Sequence, residues 1–127
     1  MKSTYAFGLT LLAGIGVGAF GVQTLYAQAK PPAFLVADNQ VGDMDTFLKE
    51  FVPVADRTQT AAGGRYLARG KPEILVGDTS QNRIAIIQFA SMDDLKKWWS
   101  NPDFQAARKA AEKYTKFHNM AIEGVSQ

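Results

Sequence analysis

The sequence predicts an α+β domain, one antiparallel sheet with two helices on one face. Three observations predict it. Two stretches, 43–62 and 91–114, repeat apolar residues at helical spacing. Short β-favouring runs precede, separate and follow them, punctuated by glycine, proline and polar turn residues. The 127-residue length suits one domain, at roughly 100–200 residues per domain.

The N-terminus reads differently. Lys2 supplies a positive start, and from Phe7 to Val22 every residue is apolar or small except Thr10. Ala27-x-Ala29 is the small-x-small pattern that a signal peptidase accepts, with Leu25-x-Ala27 as a weaker alternative. Residues 1–29 are therefore expected to be a signal peptide and 30–127 the exported domain, periplasmic or secreted. The alternative is an uncleaved membrane anchor, but the apolar run falls short of the ~20 residues a spanning helix needs. Its glycines also weaken a permanent helix. No twin arginine is present, which favours secretion as an unfolded chain.

Fourteen Lys and Arg stand against twelve Asp and Glu, a net +2 that becomes +1 once Lys2 is removed. Such a balance, without a basic cluster, argues against nucleic acid as a partner. Cysteine is absent, so disulfides and thiolate metal sites are excluded. A small exported domain without disulfides often gains stability by oligomerising.

Lys30-Pro31-Pro32 is an extended lead-in, because proline disfavours helix in the residue before it. Ala33 to Val41 is a first strand, opened by Phe34, Leu35 and Val36. Asp43 is placed to cap a helix with Met44, Phe47, Leu48, Phe51, Ala55 and Thr58 on one face. Pro53 is expected to bend or divide it, and Gly63-Gly64 to end it. Arg65 to Arg69 is a second strand, Glu73 to Val76 a short third, and Arg83 to Phe89 a fourth. Ser91 opens the next helix, with Asp94 three residues on as in a capping box. Met92, Leu95, Trp98 and Trp99 line one face. Pro102 restarts the helix after Asn101, with Phe104, Ala107, Ala111 and Tyr114 as its buried stripe. Thr115 to Val125 closes the chain as a strand with His118, Met120 and Ile122 on one face.

With a hairpin allowed for, this order is the split βαβ, ferredoxin-like plan. The fourth strand is apolar on both sides, Ile84 and Ile86 against Ala85, Ile87 and Phe89. The helices cover one side, and no element is left for the other. A second copy of the sheet is the economical cover, so a homodimer is expected.

Gly63-Gly64-Arg65-Tyr66-Leu67-Ala68-Arg69-Gly70 closely resembles a Gly-Gly-Arg-Tyr-Leu-x-Arg-Gly segment of the domain of unknown function 1330 family. Trp98-Trp99-Ser100-Asn101-Pro102-Asp103-Phe104-Gln105 is similar to its Trp-Tyr-x-Ser-Pro-x-Tyr-Gln stretch. The resemblance spans Ala33 to Val125. It implies a dimeric α+β barrel, two sheets facing each other, and it imports no reaction. The wider superfamily includes small monooxygenases, haem-degrading enzymes, isomerases and binding proteins. Trp99 and Phe104 stand where the family tends to have Tyr, which argues against Tyr-based acid–base chemistry at those positions.

His118, the sole histidine, is a weak candidate for a general base or ligand. Haem-degrading relatives carry their ligand histidine on a helix, and helix 91–114 has none. Asp38, mid-strand beside Phe34 and Val36, is a second weak catalytic candidate. A period of two puts Arg65 and Arg69 on one strand face, where they can clamp an anion or form ion pairs, and Tyr66 on the other. Trp98 and Trp99 point about 100° apart, so one faces the core and the other an edge where it can line a pocket, with Arg108 one turn beyond Phe104. Tyr66, Arg69, Trp99 and Arg108 are the ligand-binding candidates. No Gly-rich phosphate loop, catalytic triad or metal-spaced cluster occurs, so no metal site or cofactor is expected.

The sequence thus points to an exported, homodimeric domain that binds a small organic molecule between sheet and helices. The alternatives are a cofactor-independent monooxygenase or isomerase using His118 or Asp38, and a non-catalytic partner-binding module. The membrane enters only if the signal is uncleaved.

Overall fold

Ala33, Leu35, Ala37, Asn39 and Val41 are buried, while Phe34, Val36, Asp38 and Gln40 between them are partly open. That alternation makes Ala33–Val41, strand β1, two-faced. The computed structural model describes residues 30–78 and 80–125. The expected signal peptide, residues 1–29, lies outside the described residues. Pro32–Val125 forms one compact unit.

After β1 come helix α1 (Met44–Thr46), a π-helical turn (Phe47–Phe51) and helix α2 (Val52–Ala61). Strands β2 (Arg65–Gly70) and β3 (Arg83–Phe89) follow, then α3 (Met92–Trp99) and α4 (Pro102–Ala111). Strands β4 (Thr115–Lys116) and β5 (Asn119–Glu123) end the fold. The sheet order is β2-β3-β1-β4, with β5 also paired to β1. Every pairing is antiparallel. This is the ferredoxin-like α+β plan expected from the sequence.

The caps are local and match the residues that announce them. Asp43 accepts from the Thr46 N–H, which holds its carboxyl below the usual carboxylate range. Ser91 accepts from Asp94 N–H, and Asn101 from Phe104 N–H with Pro102 just inside the helix. Pro53 lacks the N–H that would continue the ladder, and the chain relaxes into a π turn immediately before it. The wider turn rotates Leu48 outward, to 44% exposure, although helical spacing places it in the buried stripe. Phe47, Phe51, Ala55 and Thr58 do face the core.

Three further expectations are corrected. Glu73–Val76 is not a strand but part of the loop joining β2 to β3, and Leu75 and Val76 are 91% and 92% exposed. The reason is register. Gly70 already lies opposite Ile84, and β3 is paired on both sides, so the segment finds no partner. The closing strand is interrupted at Phe117–His118, although its register is unbroken: Val41 faces Thr115 and Ala37 faces Asn119. There Asn39 Oδ1 accepts the His118 N–H at 3.1 Å, a side chain bonding where a strand backbone would. Lastly, a bulge at Leu67 shifts the parity of β2. Tyr66 lies opposite Ile87 and Arg69 opposite Ala85, so both face the helices, while Arg65 opposite Gln88 faces away.

The register sorts the sheet. Ala33, Leu35, Ala85, Ile87 and Phe89 pack under Phe47, Phe51, Leu95, Trp98 and Phe104. The opposite face carries Phe34, Val36, Ile84, Ile86, Met120 and Ile122 in adjacent rungs, and no described element lies over it. Met120 and Ile122 are 46% and 60% exposed.

Candidate functional site

A cavity of about 40 Å³ lies between the sheet and the helices. Apolar side chains make most of its wall, among them Leu35, Phe47, Phe51, Phe104 and Phe117. These aromatics hold one another. Phe51 lies 5.0 Å from Phe47 and 5.2 Å from Phe117 between ring centroids, and Trp98 lies 4.2 Å from Phe104. Trp98 is fixed further by donating its indole N–H to Thr58 Oγ1 at 2.9 Å, inside the core.

The polar part of the wall is Tyr66, Arg83, Asn39 and Asn119. Tyr66 donates to Asp56 Oδ1 at 2.6 Å, and Arg69 reaches the same oxygen at 3.1 Å with its guanidinium 4.3 Å from the Tyr66 ring centre. Burial, then the hydrogen bond and charge of Asp56, push the Tyr66 hydroxyl up to about 12. It therefore serves as a donor and stays protonated at neutral pH. The triad ties β2 to α2, and its carboxylate is engaged by both neighbours.

The structure brings Tyr66 and Arg69 together and separates them from the other candidates. Trp98 is the core-facing tryptophan, and Trp99 sits at the edge. Trp99 lines a shallower groove with Leu95, Lys96, Met120 and Ala121, and Asn119 borders both spaces. Arg108 lies 5.7 Å from the Trp99 ring centre and pairs with Glu112 at 2.9 Å. Neither residue lines the cavity. His118 and Asp38 stand on the open sheet face, opposite each other in register; His118 is exposed and Asp38 half-buried. Asp38 is joined to His118 through the backbone, donating its N–H to the His118 carbonyl at 2.8 Å.

Sequence reasoning missed Asp56, Asn39, Arg83 and Asn119. One signal was available: Arg83 and Asn39 share strand parity with the core residues Ala85 and Ala37, and a polar group on a core-facing parity marks a cavity or a network. Gly64 is also more than a turn residue. A Cβ there would sit 2.5 Å from Gln59 Oε1 and 2.8 Å from the Phe89 ring, so the helix-to-strand junction closes only on glycine. Among the described residues, no group of three His, Asp or Glu side chains is placed to hold a metal ion.

Solved structures share the fold at low identity. A protein of unknown function from Rhodopseudomonas palustris matches with a TM-score of 0.61 and 10% identity, over 84% of this chain and 94% of that one. A dimeric ferredoxin-like protein of unknown function from Thermobifida fusca matches with a TM-score of 0.56 and 12% identity, over 75% and 92%. SnoaB, a cofactor-independent oxygenase from Streptomyces nogalater, matches with a TM-score of 0.50 and 14% identity, over 76% and 96%. No curated protein matches the sequence. The model of the domain of unknown function family DUF1330 matches residues 32–125, nearly all of the described fold, and the chain belongs to that family.

Proposed function

We propose that this is an exported homodimeric domain that binds a small organic molecule in the cavity between sheet and helices. The observation that carries the reading is the cavity itself, apolar over most of its wall and polar at Tyr66, Arg83, Asn39 and Asn119. Ligand sites have that composition: apolar surface for affinity and a few fixed polar groups for orientation. At about 40 Å³ the space admits a small molecule, or one end of a larger one.

A binding role is favoured over catalysis by the placement of the acid–base candidates. His118 and Asp38 lie across the sheet from the cavity. Asp56, which bonds the cavity-lining Tyr66, already accepts from Tyr66 and Arg69. Among the described residues, neither those two groups nor Asp56 offers a free base to a ligand held there.

The open sheet face supports the homodimer part of the reading. The open face presents Phe34, Val36, Ile84, Ile86, Met120 and Ile122 in contiguous rungs, an apolar patch of the kind that meets a partner. The Thermobifida fusca protein of like fold is dimeric. Export rests on Lys2, the Phe7–Val22 run and Ala27-x-Ala29.

Melting the purified chain against a panel of small organic acids, amides and alcohols tests the binding reading. At least one compound raises the melting temperature in a saturable way. A panel without any shift overturns it.

A further inference from the structure

The geometry points to a small carboxylate as the ligand, with Arg83 as the residue that holds its charge. This rests on the cavity reading and adds the chemical class to it.

The register assembles the polar end of the cavity from three strands. Arg69, Ala85, Ala37 and Asn119 form one helix-facing rung, and Arg83 and Asn39 face each other in the next. The two arginines differ in what they do. Arg69 is neutralised, reaching Asp56 at 3.1 Å and lying against Tyr66. Arg83 lines the cavity, is half-buried, and its guanidinium makes no hydrogen bond or ion pair among the described residues. A cation partly withdrawn from water without a counter-charge is a cost that an anion relieves. The planar fork of a guanidinium matches the two oxygens of a carboxylate.

Asn39 supplies a second, pre-set donor. The residue is 4% exposed. Its Oδ1 accepts the His118 backbone N–H at 3.1 Å and lies 3.4 Å from Asn119 Nδ2. Because a backbone N–H can only donate, that oxygen is fixed as the acceptor and Nδ2 is left as the donor. Among the described residues Nδ2 has no hydrogen-bond partner. One uncompensated positive charge beside one amide donor suits a carboxylate monoanion better than a phosphate dianion, which calls for more cations.

Size narrows the class. A cavity of about 40 Å³ holds on the order of three water-sized groups, at roughly 10–15 Å³ each. A carboxyl group with a short apolar tail fills that volume. The tail meets Phe47, Phe51, Phe104 and Phe117.

The test uses the ¹⁵N-labelled full chain and two matched series, acetate, propionate and butyrate against acetamide, propionamide and butyramide. The signals read are Arg83 Nε–H and the Asn39 side-chain amide. The carboxylates move both signals saturably, and the amides bind at least tenfold more weakly. Arg83→Gln weakens carboxylate binding at least tenfold, and Arg83→Lys, which keeps charge but loses the fork, gives an intermediate loss. Arg57→Gln, at an exposed cation on α2, leaves binding unchanged. Amides that bind as well as the acids, or folded Arg83→Gln and Arg83→Lys variants that bind the acids undiminished, overturn the anion assignment while leaving the cavity reading standing. Failure of both series to move either signal overturns the assignment, and a silent melting panel besides overturns the cavity reading too.

Discussion

Replacing Tyr66 by Phe removes one hydroxyl and leaves the ring under Arg69. The lost bond, at 2.6 Å to Asp56 Oδ1, is charge-assisted, a class worth roughly 1.5–3 kcal/mol. The Asp56 side chain is 39% exposed and keeps Arg69, so water replaces part of the loss and about 1–2 kcal/mol remains. The raised hydroxyl, pushed up first by burial and then by the bond to and charge of Asp56, is compatible with that size: a shift from 10.0 to about 12 is worth at most about 3 kcal/mol, and solvent screening lowers it to about 1–2 kcal/mol. The sign follows from linkage. The folded hydroxyl titrates above the unfolded one, so its stabilisation is complete below pH 10 and disappears between pH 10 and about 12. Urea denaturation of the native chain and Tyr66→Phe at intervals from pH 8 to pH 12 measures this directly. The native chain is more stable by about 1–2 kcal/mol at pH 8, about 4–16 °C in melting temperature for a domain of this size, and the difference closes toward pH 12. Tyr114, whose hydroxyl burial also raises, is present in both proteins and cancels. A difference that stays constant across that range refutes the reasoning.

Gly64→Ala places a methyl against Gln59 Oε1 and the fully buried Phe89, and costs about 1–3 kcal/mol by overpacking, read from thermal melts. Asn82→Ala removes a side chain that both accepts the Val41 N–H and donates to the Val41 carbonyl at 2.8 Å, so the melt falls by about 1–3 kcal/mol and the Val41 amide loses protection in hydrogen exchange. Ile86→Asp sets a charge in the open apolar face, and sedimentation velocity at micromolar concentration shows the proposed dimer, formed by the native chain, shifted to single subunits. An unaltered sedimentation coefficient contradicts the placing of the interface.

What was legible in the sequence was what short range decides. Asp43, Ser91 and Asn101-Pro102 announce their helices because a cap involves residues three apart. The division between Trp98 and Trp99 follows from helical geometry alone, and the ferredoxin-like order from the sequence of periodic segments. What depended on partners was hidden. Nothing in Arg65-Tyr66-Leu67-Ala68-Arg69 marks Leu67 as a bulge, so strict alternation puts Tyr66 and Arg69 on opposite faces when they share one. Ile74-Leu75-Val76 has strand composition, but only the Gly70–Ile84 register shows that no strand is free to pair with it. Arg83 reads as the first residue of a strand until three strands bring Asn39 and Asn119 to it.

The sequence holds two tryptophans, and Trp98 lines the cavity while Trp99 does not. The indole N–H of Trp98, bonded to Thr58 Oγ1, is thus a single reporter of whether anything enters. Titrating small acids, amides and alcohols while following the two indole signals is the direct measurement. Saturable movement of the Trp98 signal, with Trp99 displaced less, is the predicted result. A Trp98 signal that stays fixed against every compound contradicts the claim that this space receives a ligand.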